Sequence, residues 1–319
     1  MQVKCKRNLM VSIHCLVYNH EPYLRQCLDG FVMQKTNFQF EVIVHDDAST
    51  DNSAEIIREY AQKYPSIIKP IFEKENVYRL KGFAGINEIM DQHMYGKYIA
   101  YCEGDDYWCD CNKLQKQVNA LEQNPEATMS YTGFYVVDNL GNKIKHVRSD
   151  NFMRHSHSGW IFWDLLVHTN FIMTLTTMYR RDACVGIERT PFDSGLFLSA
   201  TRQGKAIFIP DMTSCYRINP TSIMNTCPHI LKAPYYETVY FEIKNVILCD
   251  KHTAKSILDH PWKNKVLGYI IGRYIRKSTC RRKFFLLLLR HPFLWLYTIY
   301  GVYLRLFRDS IFRNEVNKL

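Results

Sequence analysis

The chain begins with alternating blocks of apolar and amphipathic residues. LMVSIHCLVY (9–18) is an apolar run of strand length. Asn19 and EPYLRQCLDGFVMQ follow, with apolar residues at helical spacing. FEVIVHDDAST (40–50) predicts a second strand, and Asp51-Asn52-Ser53 then supplies capping residues for a helix through AEIIREYAQKY. A third strand is expected over Ser66 to Phe72, a helix over GINEIMDQHM, a fourth strand over Lys97 to Cys102 and a helix over NKLQKQVNALEQN. Strand and helix thus alternate four times in about 125 residues, which predicts an α/β domain with a parallel sheet between helices. In such sheets ligands bind beyond the carboxyl ends of the strands.

The middle of the chain is mixed. ATMSYTGFYVVD, NFIMTLTTMYRR and KAIFIP read as strands, with a helix over PFDSGLFLSATRQG. Beyond Pro220 the pattern turns helical, and residues 284–307, FFLLLLRHPFLWLYTIYGVYLRLF, are its most hydrophobic part. Arg290, His291, Pro292 and Arg305 interrupt that run. Pro292 leaves pieces shorter than the ~20 apolar residues a membrane span requires. The segment therefore reads as an interfacial helix pair with a polybasic lead-in, the alternative being a C-terminal helix buried on the preceding domain. Two regions are expected: an α/β domain over 1–225 and a helical extension over 226–319.

Hydrophobic residues make up 47% of the 319 positions and charged residues 23%, which fits a globular chain. The net charge of +10 raises nucleic acid, an anionic membrane and phosphorylated substrates as partners. Many of the cations (Arg273, Arg276, Lys277, Arg281, Arg282, Lys283, Arg290, Arg305, Arg308, Arg313) interleave with the lipophilic C-terminal segment. That placement favours a membrane surface and disfavours nucleic acid. The cysteines number 11, and MQVKCKRNLM holds no long apolar signal region. The expectation is reduced thiols in the cytoplasm. Cys109 and Cys111, with Cys102 nearby, lack a second pair at ligand spacing, so zinc is not expected.

The candidate chemistry lies at strand ends. YIAYCEGDDYW runs from an apolar strand into Glu103-Gly104-Asp105-Asp106, and the second strand ends in Asp46-Asp47. A single Asp-Asp pair is more often a solvated turn or a helix cap. Two such pairs at corresponding strand ends suit a divalent cation, which takes one or two carboxylates and completes its shell with substrate phosphates. Neither G-x-x-x-x-G-K-[ST] nor G-x-G-x-x-G occurs, so metal and side chains would have to hold any phosphate.

VSIHCLVYNHEPYLRQCLDGFVMQ, EVIVHDDASTDNSAEII, GKYIAYCEGDDYW and NKLQKQVNALEQNPE resemble, in order and spacing, motifs of the family 2 glycosyltransferases. These are inverting enzymes of the GT-A fold, and the wording here is similar to a bacterial branch that builds surface polysaccharides. The resemblance covers roughly residues 9–225. It implies a Rossmann-like, mostly parallel sheet and a uridine-type donor whose base meets Asp47 and the Tyr18-Asn19 end of the first strand. It also implies Asp105 at the ribose or metal, and Asp106 on Mn²⁺ or Mg²⁺ at the diphosphate. Glu103 stands where many relatives have Asp. Arg79 or Lys81 is a candidate for the diphosphate, and Arg217 for a phosphate. PFDSGLFLSATRQGKAIFIPDMTSCYRI resembles the family's acceptor-side block, which puts Asp193 at the position of the catalytic base, with Asp211 as second candidate. Asp193 reads equally as a helix cap.

The resulting expectation is a hexosyl- or N-acetylhexosaminyl-transferase that moves one sugar from a nucleotide-sugar, a UDP-sugar by preference, to a lipid-linked glycan. It would act in capsule, O-antigen or exopolysaccharide synthesis, peripheral on the inner face of the cytoplasmic membrane. A processive synthase is disfavoured, since Gln-x-x-Arg-Trp is absent. A non-catalytic binding or scaffold protein of the same fold and a sugar-phosphate nucleotidyltransferase are the rivals. His155, His157 and His168 invite metal or catalytic readings, but the H-S-H spacing of the first two reads rather as a polar surface loop. Trp160-Ile161-Phe162-Trp163 reads as core or as acceptor lining.

Overall fold

The computed structural model describes residues 9–168, 171–185, 193–219, 232–275 and 281–299. They belong to two compact units. The first takes Met1–Gly159, Phe171–Glu188 and Gly204–Ser222; the second takes Trp160–Asn170, Arg189–Gln203 and Ile223–Leu319. Two pieces from before residue 225 thus belong with the C-terminal helices.

In the first unit the strands are β1 (Leu9–Val17), β2 (Gln39–Asp46), β3 (Ile68–Phe72), β4 (Tyr98–Tyr101), β5 (Tyr107–Trp108), β6 (Ala127–Val137), β7 (Thr177–Arg180) and β8 (Lys205–Arg217). Its helices are α1 (Glu21–Val32), α2 (Ser53–Lys63), α3 (Val77–His93), α4 (Lys113–Gln123) and α5 (Val147–His155). One sheet runs β3-β2-β1-β4-β7-β6-β8-β5. β3, β2, β1 and β4 are parallel, as the alternating pattern predicts. The other half is mixed: β7 is antiparallel to both β4 and β6, while β6 and β8 run parallel. Burial explains the parallel half. Val11, Ile13, Val42, Val44, Ile99 and Ala100 are fully covered, as expected of strands with helices on both faces.

Three elements differ from the sequence expectation. NFIMTLTTMYRR yields a 3₁₀ turn at Thr174–Thr176 and only four residues of β7. KAIFIP extends into the 13-residue β8, whose pairing with β6 shifts at Pro210 and Asp211; a proline cannot donate to the ladder and marks a bulge. α3 begins at Val77, about two turns before GINEIM, and bends at Gly82, where φ is 63°. His155 ends α5 and lies against Phe171 instead of on a loop.

The second unit contains α6 (Phe162–His168), α7 (Asp193–Gln203), α8 (Lys232–Ile247), α9 (Lys255–Leu258), α10 (Lys263–Ile275) and α11 (Arg281–Arg290). Ile161, Phe162 and Trp163 are buried, so the aromatic cluster is core. Arg202 anchors the unit through Glu242 and Asp250, each at 2.8 Å, and Thr253 at 2.9 Å. Arg276, Lys277, Arg305, Arg308, Arg313 and the apolar run from 300 onward lie outside the described residues.

Candidate active site

The site grows from the end of β1. Val17 pairs with Asp46 on one side, and its carbonyl accepts the Asp47 amide at 3.0 Å. On the other side the Gly104 amide reaches the Leu16 carbonyl at 2.9 Å. Both acidic clusters therefore flank the same strand end. Gly104 permits this approach: a Cβ there would stand 2.8 Å from His20 and 2.9 Å from Val17.

The loops after β1 and β2 clasp each other. Asn19, at φ 55°, donates its amide to Ser49 Oγ at 2.9 Å, and its side-chain oxygen accepts the Thr50 amide at 2.8 Å. Asp51 accepts the Glu21 amide at 3.0 Å, while Glu21 accepts the Asn52 amide at 3.0 Å. α1 has no cap from its own flanking side chain, while Asp51 caps α2 by accepting the Ser53 amide at 2.9 Å. Each start is also closed from the other loop, satisfying donors that a helix start leaves open. This reciprocity is why NHE and DDASTDNS occur together.

Asp47 is buried, and both its oxygens serve the start of α3: Val77 N–H donates at 2.6 Å and Tyr78 N–H at 3.1 Å. Asn76 adds a cap by accepting the Arg79 amide at 2.8 Å. Arg79 on that first turn and Lys81 just after it are exposed. Tyr18, directly after β1, is exposed as well. Asp46 is also buried, its Oδ1 without a hydrogen-bond partner among the described residues. Desolvation raises its carboxyl above the usual range.

The second cluster is tied to the far edge of the sheet. Asp106 is buried and accepts the Arg217 amide at 2.7 Å. Burial first, then the neighbouring Asp105, push its carboxyl well above the usual carboxylate range. Asp105 is partly exposed and faces Asn219 Nδ2 at 3.4 Å.

Arg217 holds this turn. Its guanidinium donates to the carbonyls of Asp105 (2.9 Å), Asp138 (3.2 Å) and Asn139 (3.1 Å), and to Gln26 Oε1 (2.6 Å). It also lies over the rings of Tyr23 and Tyr107. The sequence suggested a phosphate ligand. The geometry gives a brace that joins α1, the acidic turn and the turn after β6.

Sequence reasoning missed Lys113. Its Nζ is buried beneath the turn, 5.0 Å from the centre of the Trp108 ring, and donates to Gln117 Oε1 at 2.6 Å and the Thr176 carbonyl at 3.1 Å. The signal was available: Lys113 falls on the same helical stripe as the buried Gln117 and Leu121. Desolvation brings its pKa down to about 7. Between about pH 7 and 10 the unfolded chain then binds the proton and the fold does not, so this group adds stability as pH rises. In thermal or urea unfolding, the difference between wild type and Lys113→Met should move in favour of wild type by up to ~1.4 kcal/mol per pH unit across that window. A difference that does not vary with pH would show that Lys113 stays charged in the fold.

Among the described residues no group of three His, Cys, Asp or Glu side chains is placed to hold a metal unaided. The donor set nevertheless fits a hard cation, with one or two carboxylate oxygens from Asp105 and Asp106 and the remaining ligands from diphosphate and water. A cation there would relieve the repulsion that raises Asp106.

Asp193 opens α7 in the second unit and is exposed; Pro191 and Phe192 lie outside the described residues. Asp211 lies on the exposed bulge of β8 and pairs with Lys116, which also holds Asp110 at 2.7 Å.

Comparison with known proteins agrees with this architecture. Residues 12–194 match the model of glycosyl transferase family 2, and the chain belongs to that family. It is 35% identical over 210 residues to an uncharacterized protein of Mycobacterium tuberculosis, a match of 65% of this chain and 58% of that protein. It is 26% identical over 244 residues (74% of this chain, 89% of the relative) to TuaG of Bacillus subtilis, whose name assigns it to teichuronic acid biosynthesis as a glycosyltransferase. In structure it is similar to S. aureus TarS 1–349 in complex with UDP-GlcNAc: TM-score 0.60, 16% identity, 84% of this chain and 73% of that one. The mannosyltransferase PcManGT of Pyrobaculum calidifontis, solved with GDP-Man and Mn²⁺, gives TM-score 0.54 at 15% identity over 94% of this chain and 88% of that one. The fold is GT-A.

Proposed function

We propose that the protein transfers a single hexose or N-acetylhexosamine, with inversion, from a nucleotide-sugar to a lipid-linked glycan during cell-surface polysaccharide synthesis. A UDP-sugar is the preferred donor. One observation supports this most: Asp106, buried beside Asp105 at the end of β4, has its carboxyl driven well above the ordinary range, and a divalent cation with a diphosphate would relieve that. Asp47 has acceptor capacity left beyond its two backbone bonds for a base N–H, and Tyr18 and Asn19 would line the base. Arg79 and Lys81 remain the candidate cations for the diphosphate. When bound, the cation would neutralise charge on the departing diphosphate. Asp193 is assigned the role of base on motif resemblance. It would accept the proton of the acceptor hydroxyl as that oxygen bonds to C1 of the sugar and the C1–O bond to the diphosphate breaks, its electron pair leaving with UDP. The acceptor would be met at the inner face of the cytoplasmic membrane.

Calorimetric titration with UDP, with Mn²⁺ and with EDTA, tests the donor half. Binding should weaken at least ~10-fold on chelation. GDP, CDP and dTDP under the same conditions identify the base. If none of these nucleotides binds, the transferase mechanism fails and a scaffold of the same fold takes its place.

A further inference from the structure

Among the described residues, much of the outer side of the last helices is exposed. α11 is apolar from Phe284 to Leu289, with cations at both ends. Phe284, Leu287 and Leu288 face inward and are buried, with Phe284 edge-on to Tyr240 of α8. Helical residues 293–299 follow the His291-Pro292 break and are also held from inside: Leu294 and Thr298 are buried, and a Cβ on Gly268 of α10 would stand 2.5 Å from Tyr297. Packing therefore accounts for one face of each piece. The other faces carry Phe285, Leu286, Leu289, Phe293, Leu296 and Ile299, between 45% and 76% exposed. The Phe285 and Trp295 rings meet at 6.0 Å, which makes the two outer faces continuous. Soluble proteins rarely leave such a patch uncovered.

Charge identifies the occupant. Residues 281–299 include no Asp or Glu, but they include Arg281, Arg282, Lys283 and Arg290, all exposed. At ~100° per residue, Phe285, Leu286 and Leu289 span an arc of about 100° opposite the buried stripe. Arg281 lies on one flank, Arg290 and Lys283 (which also pairs with Glu237 of α8 at 2.6 Å) on the other, and Arg282 stands within the arc at its N-terminal end, where a long cationic side chain can reach back to the headgroups. An apolar strip between cationic flanks is the geometry of a helix lying in a bilayer interface, with acyl chains under the strip and anionic headgroups at its edges. Trp295 and Tyr297, half-buried beside it, are residue types suited to that depth. A second copy fits poorly, because a two-fold contact would set this cationic face against itself. Among the described residues no helix is long and apolar enough to cross a membrane.

We propose that Phe285, Leu286, Leu289, Phe293, Leu296 and Ile299 form a lipid-inserting face that docks the protein on an anionic bilayer. The proposal gives a structural site to the membrane-bound acceptor of the transferase reading and rests on it in that respect. Its physical test is independent of that reading. In flotation with vesicles of phosphatidylcholine containing 30 mol% phosphatidylglycerol, against phosphatidylcholine alone, the full chain should partition at least ~10-fold more strongly to the anionic vesicles. Leu289→Asp with Phe293→Asp should abolish flotation, and Arg281→Gln with Arg282→Gln should cost roughly 5-fold per cation. All these positions are exposed, so melting and UDP titration should match wild type. Failure of UDP to bind while flotation holds would overturn the donor reading and leave the membrane face standing. No flotation, flotation unmoved by the Asp pair, or a dimer in light scattering that the Asp pair dissolves would overturn the membrane face.

Discussion

Asp106→Asn should lower sugar transfer, and nucleotide binding in Mn²⁺, by at least ~100-fold while raising the melting temperature. The two effects have one cause. Asp106 is buried against Asp105, and its carboxyl is pushed well above its ordinary range by that burial first and by Asp105 second. Without a cation the fold is destabilised either by keeping this charge or by taking up a proton. An Asn preserves the oxygen that accepts the Arg217 amide at 2.7 Å and turns an amide toward Asp105 in place of a like charge. Relief of ~1 kcal/mol raises the melting temperature by roughly 2–4 °C in a domain of this size. Activity falls because an amide is a poor substitute for a carboxylate on a hard cation. Thermal scans with EDTA isolate the stability effect. In saturating Mn²⁺ and UDP the order should reverse, because only wild type gains the ligand's stabilisation. A variant that melts below wild type in EDTA would show that Asp106 is a structural acid, and would remove the observation on which the proposed function most depends.

The parallel half of the sheet was legible because it is local. β1, β2 and β4 are short apolar runs that end in polar residues, and each period is visible within ten residues. Asp46-Asp47 and Glu103-Gly104-Asp105-Asp106 were legible for the same reason, as charges where an apolar run stops. The antiparallel entry of β7 between β4 and β6 was not, since nothing in Thr177–Arg180 names its neighbours. β5 is only two residues long and exists because β8 lies beside it. Polar residues were read by type, and type does not specify partners. Asp47 looked like a ligand and also proves to be the cap of α3. Lys113 drew no reading of its own and is buried, although its place in the helical stripe announced this. Arg217 looked like a cation for phosphate because the four acceptors it meets come from residues 26, 105, 138 and 139. Only the folded topology brings those together.

Arg217 therefore separates the two readings most sharply. Arg217→Met removes four charge-assisted hydrogen bonds and leaves the carbonyls of Asp105, Asp138 and Asn139 without this donor in a largely buried position. The expected loss is ~3–5 kcal/mol, or roughly 10 °C in melting temperature, together with nucleotide binding. Such a result alone does not distinguish a brace from a ligand; Arg217→Lys does. A lysine keeps the charge, and a phosphate contact would survive it largely intact. It lacks the planar fork that serves four acceptors at once while lying flat on Tyr23 and Tyr107. As a brace, Arg217→Lys should lose nearly as much Mn²⁺-dependent UDP affinity as Arg217→Met, because the turn that presents Asp105 and Asp106 is loosened in both. Affinity of the lysine variant within a few-fold of wild type would return Arg217 to the diphosphate. The acidic turn would then need another support, the nearest being Asn219, 3.4 Å from Asp105.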